Sequence, residues 1–289
     1  MITSISIYNE RSNFIELSLS DSSAPYFVKN IDGLGPVNAT IATTTYATKD
    51  GGAFQNARAE MRNLVMRIGL NPSYVDSSDP YGELRRSIYP ILNPKTKVTI
   101  VILSDNMETL FIDGWVETFE PTIFSKDPDF TVSIICPDPY FKSVQPVVQS
   151  REGSGDITIQ NNGNVETGLT ILIDGFYSDL NDFTITKTAT DVEVMTYVGD
   201  LNIDNHFLSF YFITDKGYKT ALVKEQTDPL WVPGTTDPMA PFSGVNVLGF
   251  VDGWLTIEPG ESLLEFVLDE NSYPLPIITA FLYSKYSGI

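Results

Sequence analysis

Few side chains in this sequence are of a kind that does chemistry. His206 is the sole histidine and Cys136 the sole cysteine among 289 residues. Nucleophilic catalysis of the Ser-His or Cys-His type would have to run through His206, with a nucleophile brought to it by the fold. Flanked by Asn205 and Phe207 at the start of a strand, His206 reads instead as a surface or partly buried histidine. Asp200, Asn202 and Asp204 match the first three ligand positions of an EF-hand loop, but Asn205 stands where that loop needs Gly and Tyr211 where it needs Glu. The segment reads better as a strand with Leu201 and Ile203 inward, a carboxylate-bound cation being the alternative. Glu117 and Glu120 offer a carboxylate pair of the glycosidase kind, a weak signal in a chain with 37 acidic residues. The expectation is no catalytic residue, no metal and no cofactor: not an enzyme.

Binding is better represented than catalysis. Arg58, Arg62 and Arg67 cluster in an otherwise acidic chain. They form either a salt-bridge seam to an acidic neighbouring subunit or a solvated face. Trp231, in the proline-rich loop Gln226–Pro241, and Trp254, after an Asp-Gly turn, suit a ligand-stacking platform with Tyr218; core or interface aromatics are the alternative.

The elements that must position these residues are mostly strands. Ser4–Tyr8 and Asn13–Ser20 alternate apolar and polar residues around a turn at Glu10–Ser12. Tyr26–Val28, Asn63–Gly69, Lys97–Leu103 and Phe130–Cys136 also read as strands, and Asp113-Gly114 reads as the turn of a hairpin between Thr109–Ile112 and Trp115–Phe119. One helix is expected over 79–92: Asp79 caps it, Pro80 suits its first turn, and Tyr81, Leu84, Ile88 and Leu92 share a face. Val37–Ala57 is small, Thr/Ala-rich and almost uncharged up to Lys49-Asp50-Gly51-Gly52. It is too apolar for a solvated linker and too poor in bulk for a core. It reads as an extended arm or hairpin packed on a neighbouring chain, or as an ordinary surface hairpin. Tyr46, Lys49 and Asp50 in this arm join the three arginines as interface candidates.

Lys142–Gly155 is polar and ends in Gly-Ser-Gly, so it is expected to separate domains 1–146 and 147–289. Beyond it, Ile157–Gln160, Gly168–Ile173, Phe183–Lys187, Asp191–Tyr197, Phe207–Ile213 and Gly253–Ile257 are short strands at regular spacing, the pattern of a β-sandwich or jelly roll. Net charge is −19. Residues 1–150 hold 12 basic and 17 acidic side chains; residues 151–289 hold 6 and 20. That balance argues against binding nucleic acid through its phosphates, and no apolar stretch approaches a membrane span. The N-terminus carries no signal-peptide pattern, so synthesis in a cytoplasm is expected.

Ile31–Pro72 and Phe111–Phe141, which closes on Cys136-Pro-Asp-Pro-Tyr-Phe141, resemble segments of the phage distal tail (Dit) family. Ile159–Gly175, Tyr197–Asp204 and Gly253–Ser262 extend the resemblance more weakly into the second half. The resemblance implies a tail-tube-like β-sandwich with one α-helix, followed by a galectin-like β-sandwich. It implies six copies in a ring at a virion tail tip, partnered by the tail tube protein and a tail-associated hub protein, with tape-measure and receptor-binding proteins as further partners. A carbohydrate- or receptor-binding tail protein is the alternative.

Overall fold

The computed structural model describes residues 2–19, 24–105, 108–122, 126–177 (176 and 177 by backbone alone), 182–188, 191–198, 207–226, 232, 234–268 and 275–289. Two compact units divide the chain: Met1–Gln145 with Tyr286–Ile289, and Pro146–Lys285. His206, Trp231 and the Asp200–Asp204 segment lie outside the described residues.

In the first unit the strands are β1 (Ile2–Asn9), β2 (Phe14–Ser18), β3 (Tyr26–Asp32), β4 (Ala39–Thr45), β5 (Gly52–Ala59), β6 (Arg62–Leu70), β7 (Lys97–Ser104), β8 (Leu110–Pro121), β9 (Asp129–Cys136) and β10 (Phe141–Ser143). One sheet runs β10-β8-β7-β1-β2-β3-β6-β9, and β9 pairs again with β8. The expected sandwich is thus a sheet closed on itself into a barrel. Alternation decides its inside: Ile5 and Ile7 of β1, Val98, Ile100 and Ile102 of β7, and Phe130, Val132 and Ile134 of β9 are all buried. The helix α1 (Pro80–Ile88) starts where the Asp79 side chain accepts a bond from the Gly82 N–H at 3.0 Å. It lays Leu84 and Ile88 on the barrel core.

Asp113-Gly114 is not a turn. Both residues lie within the single strand β8, Asp113 opposite Thr99 and Gly114 opposite Val98. The Thr99 hydroxyl donates to Asp113 Oδ1 at 2.5 Å. Glycine serves a close approach here: a Cβ on Gly114 would stand 2.6 Å from Ile134 Cγ2 and 2.9 Å from Cys136 Sγ.

The second unit contains β11 (Val147–Glu152), β12 (Gly155–Asn161), β13 (Thr167–Gly168), β14 (Thr170–Tyr177), β15 (Asp182–Thr188), β16 (Val192–Val198), β17 (Phe207–Asp215), β18 (Tyr218–Gln226), β19 (Val245–Asn246), β20 (Val251–Asp252), β21 (Thr256–Ile257), β22 (Gly260–Leu268) and β23 (Ile277–Leu282), with β24 (Lys285–Tyr286) leading into the last residues. A six-stranded sheet, β11-β23-β14-β17-β18-β19, and a five-stranded sheet, β12-β22-β15-β16-β20, contribute to one core, as in a sandwich. At its centre Phe183 stacks on Tyr197 at 5.2 Å, with the Phe210 and Phe212 rings edge-on to Phe183. The stretch expected to separate the two domains is largely strand: all six residues of β11 pair with β23.

Gly114→Val is expected to destabilise the first unit by about 1–3 kcal/mol, the usual range for overpacking a filled core. Urea unfolding measures it; unchanged stability would show that Ile134 and Cys136 yield freely.

Candidate subunit interface

The segment between β3 and β6 leaves the barrel as a two-stranded hairpin. Thr and Ile, which favour extended backbone, fill β4, and the return passes through Gly51 at φ +93°. Ile41 faces Ala57, Ala39 faces Ala59 and Thr43 faces Phe54, with Gln55 as the extra residue of a bulge beside Ala42 and Thr43. One face therefore carries Ala39, Ile41, Thr43, Phe54, Ala57 and Ala59, and the other Thr40, Ala42, Thr44, Ala53, Asn56 and Arg58. Among the described residues these two strands pair only with each other. Ile41 is 61% and Phe54 67% exposed. A lone two-stranded hairpin is marginal in water, so this one shows an apolar face that a second surface would stabilise.

Arg62 holds the root of that arm. Read from the sequence as an interface residue, it is 1% exposed and belongs to the first unit's interior. Its guanidinium donates to the carbonyls of Pro139 (2.7 Å), Gly35 (2.7 Å), Ser287 (2.7 Å) and Gly33, and lies 4.4 Å from the Phe141 ring centroid. Gly33 and Gly35 precede the hairpin and Arg62 follows it, so one side chain clamps both ends. Gly33 adopts φ +93°, and a Cβ there would stand 2.2 Å from the Asn63 carbonyl oxygen. Burial lowers the Arg62 pKa from its ordinary value, yet guanidinium stays charged in proteins. Glu60 adds a smaller clasp: its N–H donates to the Asn38 carbonyl at 2.9 Å and its carboxylate accepts from the Thr40 hydroxyl at 2.9 Å.

The other sequence-derived candidates separate. Tyr46, Lys49 and Asp50 sit at the exposed hairpin tip, where the Lys49 ammonium lies 4.2 Å from the Tyr46 ring centroid. Arg58 is exposed on the hairpin's polar face. Arg67 belongs to the barrel wall, where its Nε donates to Asp129 Oδ2 at 2.6 Å, an oxygen that also accepts from Lys29 at 3.2 Å. Burial raises the pKa of Asp129, but hydrogen bonds from Thr122, Arg67 and Lys29 outweigh it and hold the carboxyl below its ordinary value. Trp254 is half-buried against the second core under the Lys219 ammonium, 5.1 Å from the ring centroid, and is no open stacking platform. Ile41 and Phe54 escaped sequence reading. Their signal is two bulky apolar residues, the first alternating with Thr and Ala in a segment otherwise without bulk.

No protein-family model matches this sequence, and no curated protein matches it. In fold, the chain is similar to the Dit protein of phage SPP1, described as a paradigm of the hub adsorption apparatus in phages infecting Gram-positive bacteria. The TM-score is 0.61 at 14% identity, covering 97% of this chain and 98% of that one. Looser likenesses join it to chains of the phage P2 baseplate in its activated conformation, with Ca (TM-score 0.45, 11% identity, covering all of both chains) and with Sr (TM-score 0.41, 8% identity, 96% and 97%). The fold is that of the SPP1 Dit protein across both units.

Arg62→Leu is expected to cost about 3–5 kcal/mol, because buried carbonyls lose a charged donor; Arg58→Glu should stay within about 0.5 kcal/mol of the parent. Denaturant unfolding of the two variants checks the contrast. The Asp129 pKa is lower folded than unfolded, so its contribution is present above the unfolded value and lost as pH falls through the folded one. Asp129→Asn should therefore show a flatter loss of stability than the parent between about pH 5 and pH 2, read by thermal unfolding across that range.

Proposed function

We propose that this chain is a structural distal tail protein of a long-tailed phage. Its first unit forms a hexameric ring that joins the tail tube to the tail tip, and its second unit anchors host-adsorption components. The observation that carries the reading is the β4–β5 hairpin. It is an amphipathic arm, clamped at its root and bare on its apolar face, in a chain whose fold follows a phage hub protein from end to end. In a ring each arm lies on the next copy, so Ala39, Ile41, Phe54 and Ala57 are buried at every interface and the single-copy defect is repaired all round. A head-to-tail contact of this kind closes only if its rotation does, which gives a ring a fixed number of copies. Tyr46, Lys49 and Asp50 travel with the tip and meet the neighbour at the far end of the contact, with Arg58 on the arm's other side. The role is structural and not enzymatic. Partners of matching location are the tail tube protein and the tail-associated hub protein, with tape-measure and receptor-binding proteins beyond them.

The test is the mass and symmetry of the purified protein by light scattering and negative-stain imaging, alone and co-expressed with a tail tube protein. Six-fold rings are expected. Ile41→Asp with Phe54→Asp should keep monomer stability within about 0.5 kcal/mol, because both side chains are exposed, and should abolish the rings. A strict monomer in every mixture, or rings unaffected by the double substitution, would overturn the reading.

A further inference from the structure

The two outer faces of the second unit are treated differently by the chain. Over the six-stranded sheet runs the segment 234–244. Buried Asp174 accepts from the N–H groups of Gly234 (3.0 Å) and Thr236 (3.3 Å) and from the Thr236 hydroxyl (3.0 Å), and Phe242 stacks on Tyr211 at 5.1 Å. The outward-facing Leu172 and Phe281 of that sheet are buried.

The outer face of the five-stranded sheet is bare. Val192, Val194 and Val198 of β16 alternate with buried Met195 and Tyr197, and Leu263 and Val267 of β22 alternate with buried Leu264 and Phe266. Val192 is 67%, Val198 57% and Val267 51% exposed. The outward threonines of β15 join the two rows: Thr188 is opposite Val192 and Leu263, and Thr184 is opposite Val267. The result is an exposed surface rich in Val and Thr, interrupted on β22 by one carboxylate. Asp156, Asp182 and Glu261 are exposed at outward positions near its edges, and Glu265 stands within it, between Leu263 and Val267 and opposite Thr186. No Lys or Arg occupies an outward position of β12, β22, β15, β16 or β20.

This charge pattern selects the occupant. A second copy laid face to face would set carboxylate against carboxylate, within a region, 151–289, that holds 6 basic and 20 acidic side chains. Exposed apolar patches with polar rims mark interaction sites, and charge complementarity decides which partner is admitted. We infer that the β15–β16–β22 face is the docking surface for a different protein, one that presents apolar side chains together with Lys or Arg. The inference rests on the second unit alone and stands whether or not the chain forms rings.

The full chain is titrated against a fluorescent peptide with a Val-Thr-Val-Thr-Val centre between lysine pairs, and against the same peptide with glutamate pairs, by anisotropy. The lysine peptide is expected to bind and the glutamate peptide not to. Val194→Asp with Val267→Asp adds two carboxylates, so attraction by charge alone would tighten binding, whereas docking on the apolar face weakens it at least tenfold. Thr186→Lys is a second variant that introduces positive charge mid-face and is expected to weaken binding as well. Three results would each overturn the inference: no binding of the lysine peptide, unchanged or tighter binding by the aspartate variant, or self-association of the parent chain that the aspartate variant abolishes.

Discussion

A buried guanidinium without a hydrogen-bonded carboxylate organises the first unit. Arg62 is compensated by carbonyl dipoles from three separate stretches of chain: the Gly33–Gly35 turn, the Pro139 turn after β9, and Ser287 near the last residue. Each carbonyl would be costly to bury unpaired, and the cation would be costly to bury alone. Neither side tolerates the loss of the other. The same contacts bring together the two chain ends from which the β4–β5 arm projects, so the arm's direction follows from an interior interaction. A surface contact between copies would then depend on a residue in the interior of each.

The second unit also buries a cation, here held by carboxylates as well as a carbonyl. Lys187, fully buried, donates to the Thr256 carbonyl at 2.8 Å and to both Glu258 oxygens at 3.0 Å, and pairs with Glu193 at 3.1 Å. Burial lowers the Lys187 pKa, but its hydrogen bonds to the Glu258 and Glu193 carboxylates outweigh it and hold the ammonium above its ordinary value. Glu193 in turn accepts from the Thr256 N–H at 2.8 Å. The two-residue strand β21 is thereby fixed by charge where its ladder is too short to fix itself. Asp174 does comparable work for the segment after Val232.

What could be read in the sequence follows from range. Alternation and capping are local, so β1, β6, β7, β9 and the Asp79-capped start of the helix are legible, although the helix ends at Ile88 and not at 92. Asp113-Gly114 was misread because its glycine answers to Ile134 and Cys136, about twenty residues away, and not to a turn. Lys142–Gly155 looked like a linker because β11 is polar along its exposed side and acquires its partner, β23, only at the far end of the chain. The arginine cluster divided for the same reason. Spacing made Arg58, Arg62 and Arg67 look alike, whereas an exposed hairpin, a carbonyl cage and a buried Asp129 give them three different roles. The Thr/Ala-rich arm was legible as an anomaly, being too apolar for solvent and too small for a core, and that anomaly is the part of the sequence closest to function.

Assembly through the arm requires that it be exposed to solvent in the single copy and covered in the assembly. Hydrogen–deuterium exchange of dilute and assembled protein reads this at the amides of Ala39–Thr45 and Gly52–Ala59. Fast exchange is expected in the single copy and slowing by at least tenfold on assembly, with the amides of β6 and β9 slow in both. Assemblies in which the arm exchanges as fast as in the single copy would contradict assembly through the arm.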